Sequence, residues 1–524
     1  MSLPSFIAAM QRPDFYPHRP PEVTLAQTHI SYILLAGERV YKVKKPVRFT
    51  FLDFSTLERR RHFCHEEVRL NRRLAADVYI AVLAVREDHG VFELTREDDP
   101  AALEYVIEMR RLPADRMLDQ LLDRSSVTGG LIDAIATRLA EFHRGADAGA
   151  AVTANGDPAN VLAVLEDNYA NARRFRDVTI PARDDDAIQA FARGFLRTHE
   201  VLFRQRQAQQ RIRDCHGDLH SEHVCCTDPL VIFDCIEFNS QFRYCDVASE
   251  LAFLAMDLDY HDRPELAAQL IERYADCAAD PDLPRLLPFY QCYRAYVRGK
   301  VDSLKSVEEE VSATERAEAR ASAQRHFALA YRYTWSYNPA LVVIAGLSGT
   351  GKSVVAEALH ARTGFAHINS DVVRKRLAGV PLDAPAKSTA YDAGIYTPEL
   401  STRTYQTMLD EAAAQLAAGR GVILDATFQL HIGRDAARAL AEKHRVPFLL
   451  VECRCDAQEV HRRLRRRAAT GTGPSDADWT VYLEQRRRFE AIDADEQAHH
   501  IVLDTAGAAG ELSVTIEMDL MRRR

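Results

Sequence analysis

Residues 346–353 read Gly-Leu-Ser-Gly-Thr-Gly-Lys-Ser and fit the pattern G-x-x-x-x-G-K-[S/T]. Glycines in such a loop let successive backbone N–H groups turn toward phosphate oxygens, and the helix that follows adds its positive N-terminal end. An apolar segment, 340–345, feeds the loop, and a helix is expected at 354–363. The pattern therefore predicts a nucleotide-phosphate site formed by Gly346, Ser348, Gly349, Thr350, Gly351, Lys352 and Ser353.

Within this loop, Lys352 is expected to bridge the β- and γ-phosphates of ATP, and Ser353 is expected to hold Mg²⁺. Asp371 follows a predicted strand at 366–369, where a carboxylate can accept the proton of an acceptor hydroxyl. Arg374, three residues on, shares its helical face and is a candidate for binding a substrate anion. An additional interpretation, compatible with catalysis, is that Ser370 or Asp371 caps a helix.

Two further charged features, an aspartate and a run of arginines, lie downstream of the glycine-rich loop. Asp425 ends an apolar segment at 421–424, which fits either a water-mediated contact with Mg²⁺ or a role in orienting the substrate. Residues 461–467 read His-Arg-Arg-Leu-Arg-Arg-Arg on a predicted helix. Arg463 and Arg467, one turn apart, are our candidates for stabilising charge on the transferred phosphoryl group. A solvated basic face is the alternative.

A second set of reactive residues lies upstream, where 215–223 read Cys-His-Gly-Asp-Leu-His-Ser-Glu-His. Asp218 belongs to this run, and sixteen residues later Asp234 closes the apolar segment 230–233. Two aspartates on neighbouring loops suit phosphoryl transfer, because one can orient the hydroxyl while the other binds Mg²⁺.

The elements that position the upstream residues differ from those around the glycine-rich loop. Alternating apolar residues predict a hairpin of 30–35 with 39–44, a helix at 57–76, and strands at 78–85, 91–95 and 105–109. Helices dominate from 117 to 208. The pattern indicates an α+β bilobal domain at 1–336, with a β lobe at about 20–110 and a helical lobe at about 111–336.

A charged helical stretch at 303–333 ends before Pro339, and a new strand begins at Ala340, so the domain boundary is placed near residue 337. From there strands alternate with helices, which predicts an α/β domain at 337–524, with a parallel sheet flanked by helices.

Composition limits the function classes. The 524 residues include 67 basic and 76 acidic side chains, a net charge of −9, which disfavours a global electrostatic grip on nucleic acid. The chain shows no apolar run of about 18 residues and no apolar signal core, so we expect neither a membrane partner nor secretion. Ten scattered cysteines fit free thiols in the cytoplasm.

Residues 340–505 resemble P-loop kinases of the AAA-type group, and more distantly polynucleotide 5′-kinase, gluconate kinase and zeta toxins. The resemblance rests on the glycine-rich loop, the Asp371–Arg374 pair, Asp425-Ala426-Thr427, and the arginine run with Ser-Asp-Ala-Asp-Trp (475–479) after it. It implies Asp371 as general base, Arg374 as a contact to substrate phosphate and Arg467 as the lid arginine. Such folds phosphorylate hydroxyl groups.

Residues 20–300 resemble the aminoglycoside phosphotransferase family, whose fold is that of protein kinases. By this resemblance Asp218 is the catalytic aspartate, Asp234 binds the metal and Asp246 is structural. The nucleotide lysine is Lys42 or Lys44, which point to the same side of one strand; we favour Lys42. Its expected partner is Glu67, with Glu66 as the alternative, and residues 104–110 would form the hinge over adenine.

This sequence departs from the aminoglycoside phosphotransferase pattern at two places. His223 stands where the family has an asparagine that binds the second metal ion, and a neutral imidazole is a poorer Mg²⁺ ligand than an amide oxygen. The turn at 26–31, which would cover the phosphates, contains no glycine. The N-terminal domain is therefore interpreted as a weak kinase, an unusual kinase or a pseudokinase.

Together these features predict an ATP- and Mg²⁺-dependent kinase that phosphorylates a hydroxyl acceptor, mainly at the C-terminal site. A small-molecule acceptor is favoured over a nucleic-acid end, and the N-terminal domain is a second kinase or a regulatory module. The alternatives are a nucleic-acid 5′-end kinase or repair protein and an ATP-binding regulatory protein. Acceptor specificity is assigned to the helical lobe and to 379–398; the oligomeric state is left open.

Overall fold

The computed structural model describes residues 3–49, 52–309, 311–382, 394–470 and 477–523. The chain forms two compact units. The first unit comprises Met1–Ala182 and Gln189–Phe327, and the second comprises Arg183–Ile188 and Ala328–Arg524. The units divide inside a helix, several residues before the predicted boundary near 337.

The first unit opens with a six-stranded antiparallel sheet. Across the sheet the strands follow the order Val23–Gln27, Ser31–Ala36, Arg39–Lys44, Glu104–Arg110, Tyr79–Asp88 and Val91–Arg96. The predicted hairpin through Gly37 is confirmed, and Gly37 has a φ of +64° that favours glycine. The helix Leu57–Asn71, capped by Thr56, buries Cys64 and Val68 against one face of the sheet.

Helices make up most of the rest of the first unit. Their bounds are Ser5–Met10, Leu118–Asp123, Gly129–Gly145, Ala150–Thr153, Pro158–Ala172, Ala182–Thr198, Glu200–Ala208, Ser240–Arg243, Val247–Tyr260, Pro264–Ala278, Leu287–Lys305 and Ala313–Tyr333. Parts of Ala182–Thr198 and Ala313–Tyr333 belong to the second unit. Two short antiparallel pairs, Ile212–Asp214 with Tyr244–Asp246 and Val224–Cys225 with Val231–Ile232, flank the Asp218 run. The predicted bilobal α+β architecture is therefore confirmed.

The predicted single helical stretch at 303–333 is wrong, because it contains the end of one helix and the whole of another. Ser312 and Glu315 form reciprocal hydrogen bonds between side chain and backbone N–H, which begins the second helix at Ala313. This S-x-x-E signal is visible in the sequence, but the continuous charge pattern conceals it.

The second unit contains a five-stranded parallel sheet. Its strands follow the order Ala366–Asn369, Val422–Asp425, Leu341–Ala345, Phe448–Arg454 and His500–Asp504. The longer helices around it are Lys352–Thr363, Ser370–Leu377, Pro398–Ala417, His431–His444, Ala457–Thr470, Trp479–Arg488 and Ala509–Arg522. Every residue of Leu341–Ala345 is buried, as expected for a central strand covered on both faces, and the predicted α/β fold is confirmed.

None of the helices within the described ranges has the length and hydropathy that a membrane-spanning segment needs.

A buried ionic cluster fixes the base of the helical lobe. Arg206 is fully buried and donates to both carboxylate oxygens of Asp246, at 2.6 and 2.7 Å, and to Asp280 at 2.8 and 3.0 Å. Asp246 also caps the helix Val247–Tyr260 through the N–H of Ala248. Arg206 thus joins Asp246, the aspartate assigned a structural role by resemblance, to Asp280.

We expect Arg206→Met to reduce the free energy of unfolding of the first unit by about 3–5 kcal/mol, because Asp246 would remain buried without its cation and Asp280 would keep only a contact to Arg211 at 3.8 Å. Arg204→Ala, on the same helix, removes only half-exposed contacts to Glu200 and Asp157 and should have a far smaller effect. Denaturant unfolding with hydrogen exchange on the helix Val247–Tyr260 measures both. Equal losses in the two variants would contradict the buried-cluster assignment.

Candidate functional site

The glycine-rich loop (residues 346–353) joins the buried strand Leu341–Ala345 to the helix Lys352–Thr363. Gly346, Gly349 and Gly351 have φ values of +138°, +79° and +91°, which side-chain-bearing residues rarely adopt. A Cβ atom at Gly346 would lie 2.6 Å from the carbonyl oxygen of Cys453. The loop geometry therefore requires glycine, as the sequence pattern predicts.

Inside the loop, the side chains of Ser348 and Thr350 are buried, and Thr350 Oγ1 donates to the carbonyl oxygen of Leu347 at 2.8 Å. Lys352 Nζ donates to the same carbonyl oxygen at 2.9 Å. Burial lowers the pKa of Lys352, although nearby Asp425 and Asp371 partly offset this effect. The ammonium group thus lies at the loop with a neutral hydrogen-bond partner.

Asp425 lies beside Ser353, the residue predicted to hold Mg²⁺. Its Oδ2 accepts from Asn369 Nδ2 at 2.6 Å and contacts His367 Nε2 at 3.2 Å, and Asn369 Nδ2 also lies 3.4 Å from Ser353 Oγ. Burial opposes ionisation of Asp425, but the His367 hydrogen bond and the Lys352 charge outweigh it and lower its pKa. Since Asp425 is 1% exposed and close to Ser353, the geometry favours the metal-contact alternative over the substrate-orienting one.

A hydroxyl and a carboxylate at this position fit Mg²⁺, which prefers oxygen ligands and retains several of its waters. Ser353 would bind the ion directly, and Asp425 would do so through water.

Asp371 and Arg374 form one ion pair at the start of the helix Ser370–Leu377, with Arg374 Nη1 3.0 Å from Asp371 Oδ1. The alternative that Ser370 or Asp371 caps this helix is wrong, because Asn369 is the cap and accepts from the N–H groups of Asp371 and Val372. The guanidinium of Arg374 is buried, 4.8 Å from the centre of the Tyr396 ring. The Asp371 carboxylate is therefore paired with Arg374 and does not cap the helix.

The two candidate arginines have different environments. Arg463 binds Glu459 at 2.8 Å and the carbonyl oxygen of Thr505 at 2.9 Å. Thr505 in turn donates to the carbonyl oxygen of Thr350, so Arg463 supports the outside of the loop. Arg467 donates to the carbonyl oxygen of Ala477, and its charge contributes to the lowered pKa of Lys352. The charge of Arg467 thus reaches the loop lysine.

The other arginines of the run, Arg462, Arg465 and Arg466, are exposed, as the solvated-face interpretation expects. Residues 475–476 of the resembling stretch and 383–393 of the segment assigned to acceptor specificity lie outside the described residues.

Sequence reasoning missed Gln485 on the helix Trp479–Arg488. Its Oε1 accepts the backbone N–H of Ser348 at 2.8 Å, which places a side-chain oxygen on the glycine-rich loop. No motif marks this glutamine. Asn369 was also missed, although an asparagine just before a predicted helix is a recognisable capping signal.

In the first unit, the structure brings together the residues assigned to its kinase-like site. Lys42 Nζ lies 2.8 Å from Glu67 Oε1 and 2.6 Å from Asp234 Oδ1. Lys44 contacts the other oxygen of Glu67 at 2.6 Å and also binds Glu237, with its side chain 1% exposed. Lys42 therefore faces Asp234, whereas Lys44 is enclosed in the protein.

The alternative partner for the lysine, Glu66, pairs instead with Arg69 on the same helix at 2.7 Å. The turn that precedes the strand Ser31–Ala36 closes without glycine, through hydrogen bonds from Thr28 N to Ser31 O and from Ser31 N to Thr28 Oγ1. The N–H groups of Thr28 and Ser31 are therefore hydrogen-bonded within the turn itself.

His223 lies between the two aspartates of the first unit. Its Nδ1 is 3.6 Å from Asp218 Oδ2, and its Nε2 is 3.6 Å from Asp234 Oδ2. Desolvation opposes ionisation of Asp218, but His220 and His223 outweigh it and lower the pKa of this carboxyl group. Glu250, which the sequence did not indicate, positions the run by accepting the N–H groups of His216 and Gly217 at 2.6 and 3.0 Å.

The lysine geometry predicts different outcomes for two neighbouring substitutions. In a Lys352→Ala background, Lys42→Met should abolish ATP binding to the first unit, because Lys42 is the lysine that faces Asp234. Lys44→Met should retain binding but lower the unfolding temperature, because Glu237 loses its buried cation. Calorimetric titration and scanning calorimetry distinguish the two effects. Loss of ATP binding in Lys44→Met alone would reverse the assignment.

A second prediction concerns the loop backbone. Gly346→Ala should reduce the free energy of unfolding of the second unit by more than about 1 kcal/mol and abolish ATP binding to that unit, because φ and the Cys453 carbonyl both exclude a Cβ. Gly510→Ala is the matched control, since its Cβ would meet no atom within 4 Å. Thermal unfolding with and without ATP tests the pair. A fully ATP-responsive Gly346→Ala protein would contradict the steric argument.

Comparison with known proteins matches both halves of the chain to described families. Residues 35–289 match the phosphotransferase enzyme family, and residues 341–492 match the AAA domain. Among solved structures, a choline/ethanolamine kinase family protein from Mesorhizobium loti is similar over 62% of this chain and 98% of that chain, with 14% identity and a TM-score of 0.36. The Mycobacterium tuberculosis APS kinase is similar over 35% of this chain and 98% of that chain, with 21% identity and a TM-score of 0.26.

Similarity to two mycobacterial proteins extends over almost the whole chain. The uncharacterized proteins Rv2004c of Mycobacterium tuberculosis and Mb2027c of Mycobacterium bovis are each 32% identical over 491 residues. The aligned region covers 93% of this chain and 93% of each relative. The chain therefore belongs to the same family as these mycobacterial proteins, and it carries a phosphotransferase-family domain followed by an AAA domain.

Proposed function

We propose that the protein is an ATP-dependent kinase whose second unit transfers the γ-phosphoryl group of ATP to a hydroxyl group of a small molecule. The observation that carries the proposal is the convergence of the glycine-rich loop, Asp425 and the Asp371–Arg374 pair at the ends of neighbouring parallel strands. In open parallel sheets, ligands bind at this carboxyl edge.

Each residue at this edge has a defined role in the proposal. Lys352 supplies positive charge to the phosphates, and Arg467 adds to the positive potential around it. Asp371 accepts the proton of the acceptor hydroxyl, while Arg374 orients this carboxylate. When bound at Ser353 and Asp425, Mg²⁺ would neutralise charge on the phosphate oxygens.

A second candidate activity belongs to the first unit, as another kinase or as a regulatory module that binds nucleotide. The Lys42–Glu67 ion pair and the nearby Asp218 and Asp234 support nucleotide binding there. His223 and the glycine-free turn favour the regulatory role or an unusual metal requirement, because neither feature supplies the usual phosphate or Mg²⁺ contacts.

A nucleic-acid acceptor has weaker support. Glutamates on the same helices partner many of the clustered arginines: Glu459 pairs with Arg462 and Arg463, and Glu484 pairs with Arg487 and Arg488. With a net charge of −9, this pairing favours a solvated face over a phosphate-tracking groove.

The general-base role predicts that Asp371→Asn lowers the rate of acceptor phosphorylation by about 10²- to 10⁴-fold while ATP affinity is little changed. Lys352→Ala should lose both phosphorylation and ATP binding at the second unit. Asp410→Asn, an exposed aspartate in the same unit, is the matched control. Transfer of label from γ-³²P-ATP to a metabolite pool and to 5′-hydroxyl oligonucleotides provides the measurement.

Undiminished phosphorylation by Asp371→Asn would show that Asp371 is not the general base. Asp218→Asn provides the complementary arm, since it leaves the second unit intact. If Asp218→Asn abolishes all transfer while Lys352→Ala retains it, the first unit is the principal kinase and the proposal is wrong.

A further inference from the structure

The peptide unit between Leu347 and Ser348, in the glycine-rich loop, is held at both of its polar groups. Its carbonyl oxygen accepts from Thr350 Oγ1 at 2.8 Å and from Lys352 Nζ at 2.9 Å. Its N–H group donates to Gln485 Oε1 at 2.8 Å. The carbonyl oxygen and the hydrogen of a trans peptide point in opposite directions, so the lysine and the glutamine contact this unit from opposite edges. Together they fix the orientation of one loop peptide.

Packing on both sides of Ser348 keeps this contact in place. Leu347 packs into an apolar cluster with Tyr482, which lies one turn before the glutamine on the same helix. Gly349 lies against the preceding helix, where a Cβ atom on this glycine would be 3.0 Å from the Leu464 side chain. The hydrogen bond to the glutamine is therefore flanked by two packed loop residues, which restricts its movement.

The hydrogen bond with Ser348 also determines which way the Gln485 amide faces. A backbone N–H can only donate, so the atom opposite it is the amide oxygen. The amide nitrogen, Nε2, forms no hydrogen bond with any residue that the structure describes, although the side chain is only 9% exposed. Buried polar groups nearly always have hydrogen-bond partners, so this NH₂ group indicates two donors that serve a ligand.

Two amide donors at this part of the loop suit phosphate oxygens, which can only accept. Lys352, which is expected to reach the β- and γ-phosphates, holds the opposite edge of the same peptide, so the amide belongs to the terminal-phosphate end of the nucleotide. The positive charge of Arg467 contributes to the lowered pKa of Lys352. A neutral amide adds hydrogen bonds to the phosphate without adding to this repulsion between cations.

We propose that Gln485 is a catalytic residue of the second unit, whose Nε2 donates to the γ-phosphoryl group of ATP while the Ser348 N–H holds the amide in position. The inference rests on the kinase activity proposed above, because it assigns a further contact within that site. The amide makes and breaks no covalent bond. It stabilises negative charge on the phosphoryl oxygens during transfer.

Nucleotides with and without a γ-phosphate test this contact. Calorimetric titration with ADP and with the non-hydrolysable analogue AMP-PNP, both with Mg²⁺, uses the full-length protein carrying Lys42→Met. The binding that Lys352→Ala removes is assigned to the second unit. We expect Gln485→Leu to weaken AMP-PNP binding by about 10- to 100-fold, the loss expected for a hydrogen bond to a charged group, and ADP binding by less than about 3-fold.

Gln485→Glu separates the two ends of the amide. A glutamate keeps an oxygen for the Ser348 N–H but replaces the NH₂ group with a second oxygen, so this variant should also lose affinity for AMP-PNP more than for ADP. Gln497→Leu is the matched control, because it removes the amide of an exposed side chain in the same unit and should change neither affinity. Scanning calorimetry establishes that each variant is folded.

Two results would overturn the proposal. Equal weakening of ADP and AMP-PNP binding in Gln485→Leu would show that the glutamine only supports the loop, and unchanged AMP-PNP binding in Gln485→Glu would exclude a donor contact. Failure of the proposed kinase activity has a different signature. The unmodified protein would then transfer no phosphoryl group, while Gln485→Leu would still reduce the preference for AMP-PNP over ADP.

Discussion

The charge state of two partly buried lysines, Lys42 and Lys352, organises both sites, and it is balanced differently in each unit. Burial opposes the charge of Lys42, but Asp234 and Glu67 outweigh it and hold its pKa well above the ordinary value. Burial lowers the pKa of Lys352, which donates to a carbonyl oxygen and has only partial compensation from Asp425. The negative charge of an incoming polyanion would therefore add to the partial compensation that Lys352 receives. At Lys42, the same anion must compete with Asp234, which already pairs with the ammonium group.

The acidic residues of the first unit are paired in a different way. Lys42 binds one oxygen of Asp234, and His223 lies 3.6 Å from the other oxygen and 3.6 Å from Asp218, which His220 also contacts. An anion that approaches Lys42 therefore meets carboxylates that already have lysine or histidine neighbours.

Local sequence patterns were enough to predict much of the fold and several of the candidate site residues. The loop glycines, the strand-terminal aspartates and the hairpin carrying Lys42 depend on residues close together in the chain, and the structure contains each of them. The strand His500–Asp504 escaped prediction because its burial is mixed, with only one residue fully enclosed. Gln485 could not be found, because its contact with Ser348 joins residues 137 positions apart and leaves no periodic signal.

Spacing alone also could not separate Arg463 from Arg467, which lie one turn apart on the same helix. The guanidinium of Arg463 donates to Glu459 and to the carbonyl oxygen of Thr505. Removing Arg463 would therefore weaken the support of the glycine-rich loop more than it would change the charge inside the loop. Arg467 disfavours the charged form of Lys352 by like-charge repulsion. That repulsion is relieved when a polyanion lies between the two cations, so the arginine and the lysine together favour phosphate binding. Arg467 therefore fits the proposed lid role better than Arg463 does.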